Sequence, residues 1–188
     1  SYGEIRVTHE QNLVLPHGLD SNLYSVWKNL KKIRLATANI GLITDTICCP
    51  GMDYCALATA RSIPISQKIS NSFRNQSLQK KIGKIKIKIS GCINACGHHH
   101  VGNIGILGLD KNGEESYQIS LGGSADEKTK IGQIVGPSFT EKKLINALKT
   151  IIKTYEDNRL NIEDDFISVF NRVGIDKFKQ DLYEENNS

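Results

Sequence analysis

Apolar and polar positions alternate most regularly between Lys84 and Ile89, where Ile85, Ile87 and Ile89 fall on one face and Lys84, Lys86 and Lys88 on the other. A period of two is that of a β-strand, and β-branched isoleucine favours it. The lysine face is expected to be solvated. The strand ends at Gly91 and hands the chain to Cys92. Shorter patterns predict a strand from Glu4 to His9, an apolar continuation from Asn12 to Leu15, and a buried strand from Leu42 to Ile47. Asn103 to Leu109 and Tyr117 to Leu121 flank a turn over Asp110 to Glu115 and read as a hairpin.

Helical spacing comes next. Leu23, Val26, Trp27, Leu30 and Ile33 form one stripe, predicting a helix from Asn22 to Ile33 packed on a sheet. Tyr54 to Arg61 reads as a short helix and Ser66 to Leu78 as a second. Thr140 stands where a cap belongs, before a helix from Glu141 to Tyr155 with Leu144, Ala147, Leu148, Ile151 and Ile152 inward. A last helical region, Glu163 to Tyr183, breaks near Gly174, and the tail from Glu184 to Ser188 is expected to fray. Gly122 to Gly136 lacks periodicity and reads as loop. The class is α+β: a mixed or antiparallel sheet flanked by helices.

Composition narrows the function little. The chain has 188 residues, and 24 basic against 20 acidic side chains leave +4, a mild excess. No run approaches the roughly 20 apolar residues of a membrane helix, so no membrane partner is expected. No aromatic residues interleave the lysines for base stacking, so none is expected in nucleic acid either. The polar start, Ser1 to Arg6, is not a secretory signal. Five cysteines without such a signal point to a reduced, cytoplasmic compartment and to metal binding rather than disulfides. The missing initiator Met and the abrupt strand start are read as marks of a fragment.

Four of the cysteines form two clamps, Cys49 to Cys55 (C-x5-C) and Cys92 to Cys96 (C-x3-C). Structural zinc favours clamps of C-x2-C to C-x4-C, which the second fits and the first exceeds. An iron–sulfur cube meets each thiolate at a different iron and tolerates irregular spacing. Spacing therefore favours iron–sulfur and leaves zinc open. Gly51, Gly91 and Gly97 flank three clamp positions, where the backbone is expected to bend around a bulky cofactor. Cys48 reads as a small buried residue. His98, His99 and His100 read as packing residues, because adjacent positions cannot all face one ion.

The stretches CPGMDYCALATARSIP, KISGCINACGHHHVGNIGILG and YQISLGG resemble the siroheme-containing sulfite and nitrite reductases. The resemblance runs from EIRVTHEQNLVLP to the helix after GPSFTEKK and is to the C-terminal half of a pseudo-duplicated fold. It implies that residues 1–40 end a ferredoxin-like half-domain and that residues 41–188 bind siroheme and a [4Fe-4S] cluster. It implies that Cys49, Cys55, Cys92 and Cys96 ligate the cluster and that Cys96 also ligates the siroheme iron, making it the catalytic residue. Asn94, between two ligands, would tune them. Gln11 and Asn12, in the family's T-x-x-Q-N strand, and Lys88 would approach the cofactors. The implied reaction is assimilatory reduction of sulfite to sulfide, or of nitrite to ammonia. Electrons would come from ferredoxin or an NADPH-dependent flavoprotein.

The departure is length. The family's substrate-gripping basic residues lie largely in its first half, which has no counterpart here. Three origins remain open: a fragment, which is the expectation, a small relative, or a subunit completed by another chain. An open siroheme face would expose apolar surface, so the missing N-terminal half or self-association is expected to cover it.

Overall fold

The computed structural model describes residues 3–184, so the tail beyond Glu184 lies outside the described residues. Its contacts divide into two units, Ser1–Ile40 and Gly41–Ser188.

The first unit pairs two short antiparallel strands, β1 (Arg6–Val7) and β2 (Leu13–Val14), and carries one helix, α1 (Leu23–Lys32). The helix forms where its spacing predicts, but it buries no residue. Leu23, Val26, Trp27 and Ile33 are exposed, which corrects the expectation of a helix packed on a sheet. Strands of two residues make too small a platform to cover a ten-residue stripe.

The second unit is built on a six-stranded sheet. Strands β3 (Ile47–Cys48), β4 (Ile87–Ser90) and β5 (Ile104–Lys111) run parallel. β5 turns through Asn112 and Gly113 into antiparallel β6 (Glu114–Leu121), longer than the expected hairpin arms. Both turn residues have positive φ, 57° and 86°, the geometry that an Asn-Gly pair supplies in a two-residue hairpin. Two short strands, β7 (Gln133–Ile134) and β8 (Phe139–Thr140), pair with β6. β7 lies inside the stretch expected to be loop.

Register sets the core. Ile87, Ile104 and Leu121 stand in one row across the sheet and Ile89, Ile106 and Ile119 in the next, all buried. Helices α2 (Ile63–Ser72), α3 (Gln76–Ile82), α4 (Glu141–Asp157) and α5 (Phe166–Glu184) contribute Ile65, Ile69, Ile82, Leu148, Ile151, Phe170 and Phe178 to the same core. The expected Ser66–Leu78 helix is thus two helices. Asn75 is extended and its side chain accepts the Leu78 N–H, so a new helix is capped where one was expected to continue. Gly174, at φ 76°, breaks α5 as its sequence predicts. The expected helix over Tyr54–Arg61 is absent: these residues form turns, and the Thr59 and Ala60 N–H groups bond across to the Gly91 carbonyl.

The lysine face of β4 also departs from expectation. Lys84 is exposed and Lys86 partly so, but Lys88 is only 7% exposed. Its strand lies between β3 and β5, and the turn formed by His99–Val101 covers that face, with Gly102 against the Lys88 Cβ position.

Candidate iron–sulfur site

β3 and β4 end side by side and each delivers one cysteine loop. The ladder runs one residue past β3, because the Cys49 N–H donates to the Ile89 carbonyl at 3.1 Å. Cys49 and Cys92, the first cysteine of each clamp, are buried; Cys55 is half-buried and Cys96 exposed. The two loops are stitched together by backbone. Thr59 and Ala60 donate to the Gly91 carbonyl at 2.9 and 3.0 Å, while within the first loop Met52 donates to the Ala60 carbonyl at 3.1 Å and Cys55 to the Gly51 carbonyl at 2.9 Å. The bonds to Gly91 take the Thr59 and Ala60 N–H groups that a Tyr54–Arg61 helix would have used.

The clamp glycines stand where backbone meets backbone. A Cβ on Gly91 would lie 2.5 Å from the Ala60 carbonyl oxygen and 3.0 Å from the Gly51 Cα. A Cβ on Gly97 would run into the Ile89 carbonyl and stand 3.2 Å from the Cys49 nitrogen. These glycines therefore let loop approach loop. The Cys92–Cys96 turn is itself tight: Ala95 and His98 hold left-handed backbone at φ 58° and 53°, unusual for residues with a Cβ. Gly97 donates to Ser90 Oγ at 3.2 Å, tying the turn to the side of the sheet that carries Lys88.

Around the thiols, the structure places the remaining predicted residues unevenly. Cys49 Sγ accepts the Gly91 N–H at 3.1 Å and lies 3.3 Å from Ser62 Oγ. Asn94 is exposed in the second clamp, with its carbonyl 4.0 Å from Cys96 Sγ. Gln11 and Asn12 belong to the other unit, where they form the β1–β2 turn: Gln11 sits at φ 60° and Asn12 N–H donates to Thr8 Oγ1 at 3.0 Å. Cys48 packs against the isoleucine core, and burial pushes its thiol up from the ordinary range. His99 is 5% exposed with its ring 4.0 Å from that of His100. Burial, and then the charge of His100, lower its pKa to about 4.

Sequence reasoning missed Ser62 and Arg61. Arg61 joins Asp53 at 3.2 Å and Glu115, anchoring the first cysteine loop to β6. Tyr117 Oη donates to the Glu115 carboxylate at 2.9 Å and stands 3.2 Å from the Arg61 carbonyl, and its burial raises its pKa. An arginine and a serine just before a Pro-containing helix start carry no signal of their own.

Among the described residues, no three His, Cys, Asp or Glu side chains converge on a point that would hold one metal ion. Four thiols in two touching loops, two inside and two toward the rim, suit an object that takes each sulfur at a separate corner.

Residues 41–188 match the family described as the nitrite and sulphite reductase 4Fe-4S domain, and the chain belongs to that family. It is 27% identical over 169 residues to the sulfite reductase (NADPH) hemoprotein beta-component of Buchnera aphidicola, covering 88% of this chain and 29% of the relative. It is 30% identical over 138 residues to the ferredoxin–nitrite reductase of Synechococcus elongatus, covering 70% and 26%. The solved NirA protein of Mycobacterium tuberculosis shares the fold, with a TM-score of 0.77 at 20% identity over 93% of this chain and 33% of that one. The chain thus spans under a third of the length of the curated relatives it matches. Family membership makes it a nitrite and sulphite reductase 4Fe-4S domain, the family's cofactors being a [4Fe-4S] cluster and siroheme. No helix among the described residues is long and apolar enough to cross a membrane.

Proposed function

We propose that the chain is the cofactor-binding half of an assimilatory sulfite reductase, with Cys49, Cys55, Cys92 and Cys96 as the cluster ligands and Cys96 also bound to the siroheme iron. The observation that carries this reading is the contact between the two clamp loops, through Gly51, Gly91 and Gly97, which holds the four thiols at one end of the sheet. The bound cofactors supply the multi-electron chemistry that turns sulfite into sulfide. The residues of this chain hold and orient them. Cys49 and Cys92 are the inner ligands, shielded from solvent, and Cys55 and Cys96 the outer ones. Cys96, the most exposed of the four, is open on its outer side to a second iron. Asn94 would bond to ligand sulfur and Lys88 would face the carboxylates of the tetrapyrrole, while for Gln11 and Asn12 the resemblance alone implies a cofactor role.

A second reading is nitrite reduction to ammonia, supported by the 30% identity to a ferredoxin–nitrite reductase. In both readings the anion-gripping residues belong largely to the missing first half, ferredoxin or an NADPH-dependent flavoprotein supplies the electrons, and that half or a second copy of the chain covers the siroheme face. A cytoplasmic location fits the reduced thiols.

The test is an absorption spectrum of the anaerobically prepared chain, with iron and acid-labile sulfide assays. Siroheme bands with cluster iron support the reading; a colourless zinc protein sinks it. Turnover by the full-length protein with a reduced dye, sulfite against nitrite, separates the two substrates. Cys96→Ser is expected to perturb the haem spectrum, and an unchanged spectrum removes Cys96 from its bridging role.

A further inference from the structure

Ser62 stands at the start of α2, where a serine ordinarily turns its hydroxyl onto the first free N–H groups of the helix. Here it makes no such cap. Its Oγ is instead 3.3 Å from Cys49 Sγ, and the residue is fully buried at 0% exposure. The same hydroxyl fills the junction between the cysteine loops: a Cβ on Gly51 or on Gly91 would stand 2.9 Å from it. Gly91 N–H reaches the same sulfur from the opposite loop at 3.1 Å. Cys49 thus has two hydrogen-bonding neighbours, one from each loop, at a buried position.

A thiolate bound to iron carries no proton, so in the loaded protein both neighbours can only donate. Donors aimed at a ligand sulfur withdraw charge from it and favour the more negative, reduced state of the cluster. We infer that Ser62 is a positioning residue that fixes the Cys49 sulfur and raises the reduction potential of the cluster through an O–H to sulfur hydrogen bond, at the expense of the helix cap. The inference rests on the cluster assignment above and extends it to a residue outside the ligand set.

The experiment is an anaerobic redox titration of the cluster-loaded full chain, followed by the electron paramagnetic resonance of the reduced cluster. Resonance Raman spectra of the Fe–S stretches in light and heavy water accompany it. For Ser62→Ala the expected result is parent iron and sulfide content, a smaller deuterium shift, and a more negative midpoint. The reduced-to-oxidised ratio at fixed poise should fall about tenfold, which is about 59 mV for one electron. Ser62→Thr, which keeps the hydroxyl, should restore the midpoint. A loaded Ser62→Ala variant with the parent midpoint and the parent deuterium shift overturns the inference alone. If Ser62→Ala holds no cluster, restoration by Ser62→Thr supports a hydroxyl role, and loss in both variants overturns it in favour of packing. A parent chain that takes up no iron or sulfide overturns the cluster reading and this inference with it.

Discussion

On one face of the six-stranded sheet the central rows are Ile87, Ile104, Leu121 and Ile89, Ile106, Ile119; on the other, the row between them is Lys88, Gly105, Ser120. The same strands make both, and both are buried, but by different means. The isoleucine face is closed by helices, and each buried side chain contributes about 1.5–3 kcal/mol. The polar face is closed by the His99–Val101 turn and the Cys92–Cys96 loop tied to Ser90. It encloses His99 Nδ1, Ser116 Oγ and Ser120 Oγ without a protein partner among the described residues. Each such group costs about 1–3 kcal/mol. One face therefore holds the fold together, and the other holds the cysteine loop at a cost that the first face offsets.

The comparison can be broken at either face. Ile106→Ala, in the middle of the apolar row, should have the largest effect, a loss of about 2–5 kcal/mol in urea unfolding; a loss below about 1 kcal/mol would show that the helices, not this row, carry stability. Acid should act through the other face. Because His99 titrates at about 4 when folded and near 6.5 when unfolded, the unfolded chain binds the proton more tightly. The contribution of neutral His99 is complete above about pH 6.5 and lost as pH falls toward 4, on the order of 2–3 kcal/mol. His99→Gln should flatten that segment of a urea-midpoint profile, and an unaltered profile would assign the acid sensitivity elsewhere. Gly105→Ala would press a methyl against the His99 carbonyl and Ser120 Oγ, and should cost about 1–3 kcal/mol while leaving the strand register intact in backbone chemical shifts. The smallest effect is expected at Thr140, opposite Ser116 at the edge of the polar face. It occupies the cap position of α4 without making the cap bond, so Thr140→Ala should shift the thermal midpoint by less than the equivalent of about 0.5 kcal/mol.

Periodicity explains which parts of this were legible in the sequence. The strand at Ile87 to Ile89 (though not its expected start at Lys84), the Tyr117 hairpin, the Leu144 to Ile152 stripe and the break at Gly174 all follow from local pattern. The pairing of the cysteines into two clamps is also local. What was not legible depends on partners distant in sequence. Alternation marks Lys88 as opposite to Ile87 and Ile89, but not whether solvent or another loop meets it. Tyr54 to Arg61 has helix-forming alanines, and loses its helix to the Gly91 carbonyl more than thirty residues away. Ser62 looks like a cap until Cys49 Sγ is found beside it. The α1 stripe is correctly helical, yet a pattern cannot say whether anything covers it.

The parallel pairing of β3 with β4 has a consequence for how the protein matures. Ile47 meets Lys88 and Cys48 meets Ile89, so this ladder closes a loop of about 40 residues before either cysteine clamp finds the other. Such non-local pairing is slow compared with helix or hairpin formation. Until β3 joins β4 the two cysteine clamps are about 40 residues apart on an unclosed chain, so the receptacle for iron and sulfide depends on the slowest class of pairing in the sheet.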